Sequence, residues 1–250
     1  MTVSRECGEL FRFRAVCADA TSDGRRELGN LWADLVGGRS VIVDSFFTDE
    51  RWFMAVRRQQ APSALDRRLE PRRVAVLERI LLGKGQKSLA VELNVAPSTV
   101  TLIASDCLKA MGLDCSSSRV PLLLVIAAHA WRARTDYHEA RSSELVHESE
   151  GYEVVSVQRP EARLARLLSP AECAVARLLL EGRRHSEIAV LRQTSERTVA
   201  NQLAAAFHKL NVSGRAELLC HLISREPLAT RRGRVVSTAP KPSRSTVVGL

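Results

Sequence analysis

The residues of this chain that could act on a partner are chiefly its cations. Between Glu161 and Arg225 stand Arg163, Arg166, Arg177, Arg183, Arg184, Arg192, Arg197, Lys209, Arg215 and Arg225, ten against the six acids Glu161, Glu172, Glu181, Glu187, Glu196 and Glu217. Guanidinium groups match phosphate oxygens in geometry as well as charge. A cationic excess along one segment is the electrostatic footprint of a polyanion binder, whose affinity falls steeply with salt. Within the same segment Asn201 and Gln202 carry amides that can pair with the edge of an adenine.

Other chemistries find less support. The histidines His129, His138, His147, His185, His208 and His221 are scattered, and no nucleophile–base set or acid pair has usable spacing. The cysteines Cys7, Cys17, Cys107, Cys115, Cys173 and Cys220 form no C-x-x-C pair and none sits beside His at zinc spacing. Gly83-Lys84-Gly85-Gln86-Lys87-Ser88 lacks the spacing of a phosphate loop and follows a helix rather than a strand. The expectation is a protein that is not an enzyme, with no catalytic residue, cofactor or metal.

Composition agrees with a binding protein. The net charge is +9 over 250 residues and the pI is near 9.8. With aromatics at only 4%, the core must be built from Leu, Val and Ala, which favours helix-on-helix packing. Met1 to Ala20 has no apolar h-region, so no secretory signal is expected, and the longest apolar run, Leu122–Ala128, is too short for a bilayer. The expected setting is the reducing cytoplasm, without a membrane partner.

The elements that must position the cations can be read from capping and periodicity. Ser169-Pro170-Ala171-Glu172 starts a helix, with a capping box between Ser169 and Glu172, and Gly182 ends it. A short helix spans about His185 to Leu191, with Ile188 and Leu191 expected inward. Ser195 caps a third helix whose Val199, Leu203, Phe207 and Leu210 recur at helical spacing, ending near Asn211. A fourth runs from Ala216 to Ser224. Four short helices with a tight turn between the second and third make a helix-turn-helix layout, in which the third helix enters the major groove.

The stretch Leu168–Leu218 resembles the LuxR/FixJ-type (GerE) helix-turn-helix of bacterial transcription regulators. The resemblance rests on Leu168-Ser169-Pro170-Ala171-Glu172, Glu181-Gly182, Glu187-Ile188-Ala189, Ser195-x-x-Thr198-Val199, Lys209-Leu210 and Arg215-Ala216-Glu217-Leu218. It implies a site-specific module for double-stranded DNA, often dimeric. It places Ala200, Asn201 and Ala204 toward the groove, with Gln202 beside them, and Arg197, Thr198 and Lys209 near the DNA backbone. Arg183 and Arg184 are added as phosphate contacts. The chain departs from the pattern at Ala200 and Ala204, where the family often has Lys or Arg, and at Gln202, where His is common. Two alanines offer only methyl contacts to thymine, so part of the preference is expected to come from DNA shape.

The chain also repeats itself. Leu69–Leu113 aligns with Leu168–Val212 at an offset of 99 without a gap, with identities such as Pro71/Pro170, Val76/Val175, Gly83/Gly182, Val91/Val190 and Val100/Val199. The earlier stretch has poorer chemistry for DNA. Glu70 and Ala96 replace the capping serines, Asp106 adds a negative charge to the would-be recognition helix, and no Lys or Arg occurs from Ala90 to Leu108. Two β-hairpins precede the helical units. Val41–Val43 and Trp52–Val56 flank one polar turn, and Leu145–Val146 and Tyr152–Val157 flank the other.

The expected fold is mainly α with small β-hairpins, a tandem duplication of hairpin plus four-helix helix-turn-helix unit. The divisions are 1–68 (N-terminal helix, hairpin and basic linker), 69–141 (first, degenerate unit), 142–160 (second hairpin), 161–225 (second, DNA-binding unit) and 226–250 (basic tail, too poor in apolar residues to fold). The leading reading is a DNA-binding transcription regulator, with RNA polymerase and a second copy of the chain as further partners. The alternative is a protein–protein regulator, binding polymerase or another regulator through units that have lost specific DNA reading.

Overall fold

In the computed structural model, residues 13–18, 24–59, 68–114, 120–134, 140–147 and 149–223 are described. The basic tail expected over 226–250, and most of the basic linker, lie outside them.

The two predicted hairpins join in one sheet. Strands β1 (Gly24–Arg25), β2 (Ser40–Phe47), β3 (Arg51–Arg58), β4 (Arg141–His147) and β5 (Glu150–Gln158) form an antiparallel sheet in the order β1-β4-β5-β3-β2. The hairpins β2–β3 and β4–β5 meet through β3 and β5, with Trp52 opposite Val157 and Met54 opposite Val155. Both central strands read as near-continuous apolar runs because both faces of the sheet are covered. Trp52, Met54, Val56, Val155 and Val157 enter the main helical core, whereas Phe53, Ala55 and Val154 pack with Phe13, Cys17 and Phe46 on the other side.

The helices are α1 (Leu28–Val36), α2 (Pro71–Leu81), α3 (Gln86–Leu93), α4 (Pro97–Ala110), α5 (Leu122–Ala133), α6 (Pro170–Leu180), α7 (His185–Leu191), α8 (Glu196–Leu210) and α9 (Arg215–Ile223). A 3-10 segment, Pro160–Arg166, leads from β5 to α6. Helix α5 is buried from Leu122 through Ala128, as expected of a helix apolar on every side. Helices α1 and α9 both pack against it, so the last helix of the second unit rests on the last helix of the first. Each fully buried leucine in this core contributes about 1.5–3 kcal/mol.

Local geometry recurs at the sequence offset. α2 and α6 begin at Pro71 and Pro170, and α3 and α7 at Gln86 and His185. Left-handed residues occur at Gly83 and Gly182, Asn94 and Gln193, and Gly112 and Asn211, each pair 99 positions apart. At Gly83 and Gly182 the chain leaves a helix with φ of 94° and 84°, a conformation costly for residues with a Cβ. Capping differs between the units. Ser169 and Ser195 accept backbone N–H groups from Glu172 and Thr198, whereas Glu70, Gly85 and Ala96 make no side-chain cap bond.

One side chain ties the sheet to the second unit. The Arg159 guanidinium lies over the Trp52 and Phe47 rings, 4.9 and 5.1 Å from their centroids, and pairs with Glu161 at 3.2 Å and Glu181 at 2.9 Å. Glu161 also accepts from the Trp52 indole at 3.4 Å.

Candidate nucleic-acid interface

Helix α8 is amphipathic, and its buried stripe fixes what it presents outward. Val199 and Leu203 pack with Val175, Ile188 and Ala189, while Ala206 and Leu210 enter the main core. The opposite face, Arg197, Ala200, Asn201, Ala204, Ala205 and His208, is exposed. The Ser195 hydroxyl accepts from the Thr198 N–H at 3.1 Å and fixes the start of the helix. Ser195 Oγ also lies 2.9 Å from Thr198 Oγ1, so the Thr198 hydroxyl already has a partner within the cap.

The proposed contacts do not all share this face. Arg197, Ala200, Asn201 and Ala204 are together on it. Gln202 is half-buried, and its Oε1 is shielded from solvent without a hydrogen-bond partner. Lys209 turns back toward α6, where its Nζ donates to Glu172 Oε2 at 2.8 Å. The Lys209 ammonium, and then the Ser169 backbone N–H, hold the Glu172 carboxyl below the usual carboxylate range. Arg183 and Arg184 are exposed in the turn between α6 and α7, and neither guanidinium is ion-paired among the described residues.

Several cations counted in the sequence have internal roles. Arg215 donates to the carbonyls of Val120 and Leu180 at 3.0 and 2.9 Å, joining the two units. Arg163 donates to the Leu222 carbonyl at 2.7 Å, near the end of α9. These contacts close distances of 35 to 95 residues in sequence, beyond the reach of local pattern. Leu191 was expected inward and is not. It is 57% exposed at the end of α7, and Ala189 takes the inward place beside Ile188. A seven-residue helix has room for one buried turn, and Leu191 lies past it.

The equivalent face of the first unit is different in kind. Thr101, Leu102 and Ser105 replace Ala200, Asn201 and Ala204, and Val91, Leu93, Val95 and Leu102 are exposed. Asp106, expected to bring a bare negative charge, is bridged by Arg73 at 2.5 Å. Glu92 is bridged by both Lys84 and Arg79, which hold its carboxyl below the usual range. Arg73, Arg79 and Lys84 are therefore engaged with acids of the same unit.

Cys17 and Cys107 are poor nucleophiles. Burial, with Asp44 nearby, pushes the Cys17 thiol up to about 11, and burial raises that of Cys107, so both stay protonated at neutral pH. Among the described residues no three His, Cys, Asp or Glu side chains come together as a metal site, and no helix is long and apolar enough to cross a membrane.

Residues 166–222, which hold α6 to α8 and nearly all of α9, match the family model of bacterial regulatory proteins, luxR family (GerE). No curated protein matches the chain.

Proposed function

We propose that the chain is a cytoplasmic DNA-binding transcription regulator whose α8 enters the major groove of a duplex. The observation that carries this reading is the open outer face of α8, with Arg197 and Asn201 on it, and the turn between α6 and α7 adds the exposed Arg183 and Arg184. Asn201 reads a base edge, Ala200 and Ala204 meet thymine methyls, and Arg183, Arg184 and Arg197 meet phosphates. Thr198 and Gln202 act from the margin of the interface, and Lys209 acts through the fold. The match of residues 166–222 to the luxR family supports the same reading.

The first unit, 69–141, is then a degenerate copy of the second, 161–225, and the hairpins over 1–68 and 142–160 are copies as well. Support comes from the shared offset of helix starts and left-handed residues. The copy has lost phosphate contacts and kept a scaffold role.

The test is titration of the full chain with double-stranded DNA at several salt concentrations. Three arginine–phosphate contacts give a log–log slope of about −3. A flat dependence removes the reading. A second reading, a protein-contact regulator that binds RNA polymerase, another regulator or a second copy, is favoured by one feature. Val91 and Leu102 of the first unit, and Val190 and Leu191 of the second, are large apolar side chains left exposed. Nuclease-resistant association with purified polymerase, without DNA binding, selects that alternative.

A further inference from the structure

A cleft of about 610 Å3 lies where the two helical units meet. That volume suits a small-molecule site, for which about 300–1,000 Å3 is usual. Ile80 of α2 and Leu179 of α6, equivalent positions of the two units, line it together with Leu122 of α5. Arg183 and Arg184 stand at the same cleft. They face little internal competition. Glu217, the one acid lining it among the described residues, already accepts the Ser213 N–H at 2.8 Å. Arg215 adds a fixed positive charge to the wall, held there by its two carbonyl partners. The cleft thus combines an apolar lining with an excess of positive charge and two guanidinium groups that have no carboxylate partner among the described residues.

We infer that this cleft binds a small organic anion, an apolar body carrying a carboxylate, sulfonate or phosphate group. The apolar body lies on Ile80, Leu122 and Leu179, and the anionic group pairs with Arg183 and Arg184. The same two arginines are the proposed phosphate contacts, so an occupant draws them from the duplex and weakens DNA binding. That coupling rests on the DNA-binding reading above, whereas occupancy of the cleft does not.

Two glycines give a test that leaves the DNA face alone. Gly85 and Gly214 line the cleft, and a Cβ added at either meets nothing within 4 Å. Gly85 has φ −62° and ψ 135°, which any residue adopts. A phenylalanine is therefore sterically admitted at either position in the cleft lining.

The probe is anilinonaphthalene sulfonate, an aromatic anion that fluoresces when its apolar body leaves water, titrated into the full chain. The expected result is saturable binding, weakened at least about tenfold (roughly 1.4 kcal/mol) in Gly85→Phe, in Gly214→Phe and in the double variant Arg183→Gln/Arg184→Gln. Duplex DNA should displace the probe from the unsubstituted chain. Circular dichroism establishes which variants fold, and the arginine pair decides the matter if neither glycine variant does. Wild-type probe affinity in a folded glycine variant, or in the double arginine variant, overturns the proposal. A chain that binds the probe as expected but never binds duplex keeps the cleft and loses only the DNA reading.

Discussion

Lys209 Nζ lies 2.8 Å from Glu172 Oε2 and donates to it, joining the last turn of α8 to the cap of α6. The contact links the two helices across 37 residues of sequence. A cation that the family resemblance assigns to the DNA backbone is thus engaged within the protein.

Lys209→Met should lower stability and leave the salt slope of DNA binding nearly unchanged. Urea unfolding and salt titration of one variant separate the two effects. A slope reduced by about one, with unchanged stability, would return Lys209 to the phosphate contacts.

Acid should loosen this contact. The Glu172 and Glu92 carboxyls are held down, the first by Lys209 and Ser169 and the second by Lys84 and Arg79. A carboxyl lowered in the folded chain stabilises it above the unfolded value, near 4.5, and that stabilisation disappears as pH falls through the lowered folded value. Urea midpoints should hold steady from neutral pH to about 5 and fall below about 4.5, and Glu172→Gln should flatten part of that fall.

Ser195→Ala removes the acceptor for the Thr198 N–H at the start of α8. It should cost about 1 kcal/mol of stability. An unchanged unfolding midpoint would show that the cap contributes nothing to holding the helix.

Arg159→Met should be more damaging. It removes the cation from the Glu161 carboxylate, 2% exposed, and from the Trp52 and Phe47 rings. Breaking a buried pair from one side costs about 3–5 kcal/mol. A loss well under 1 kcal/mol would mean that water reaches Glu161 freely.

What the sequence makes legible is local. Ser169, Pro170, Gly182, Ser195 and Asn211 mark the helix ends of the second unit, and each acts over a few residues. The two hairpins are legible for the same reason, through alternating apolar runs around polar turns. Their order in the sheet is not, because the pairing of β3 with β5 joins segments about a hundred residues apart. The candidate site divides the same way. The family resemblance picks out Arg197, Ala200, Asn201 and Ala204, which lie together on one exposed face of α8. The departures of Lys209, Gln202, Arg215 and Leu191 depend on what packs beside them, which local periodicity does not encode.

Asn201→Ala should relax base preference at one position of the bound site by about 1–3 kcal/mol, with the fold intact. Selection from a random duplex library by both proteins reads this directly. Identical preferred sequences would remove Asn201 from the interface.

The most direct measurement places a carboxylate on the outer face of each unit in turn. Ala200 is exposed on α8, and Thr101 is its counterpart on α4, 99 positions earlier. Duplex affinity of the full chain is then compared for Ala200→Glu and Thr101→Glu at one salt concentration. The account predicts a loss of at least about tenfold for Ala200→Glu and little change for Thr101→Glu. Undiminished affinity in a folded Ala200→Glu protein would contradict it.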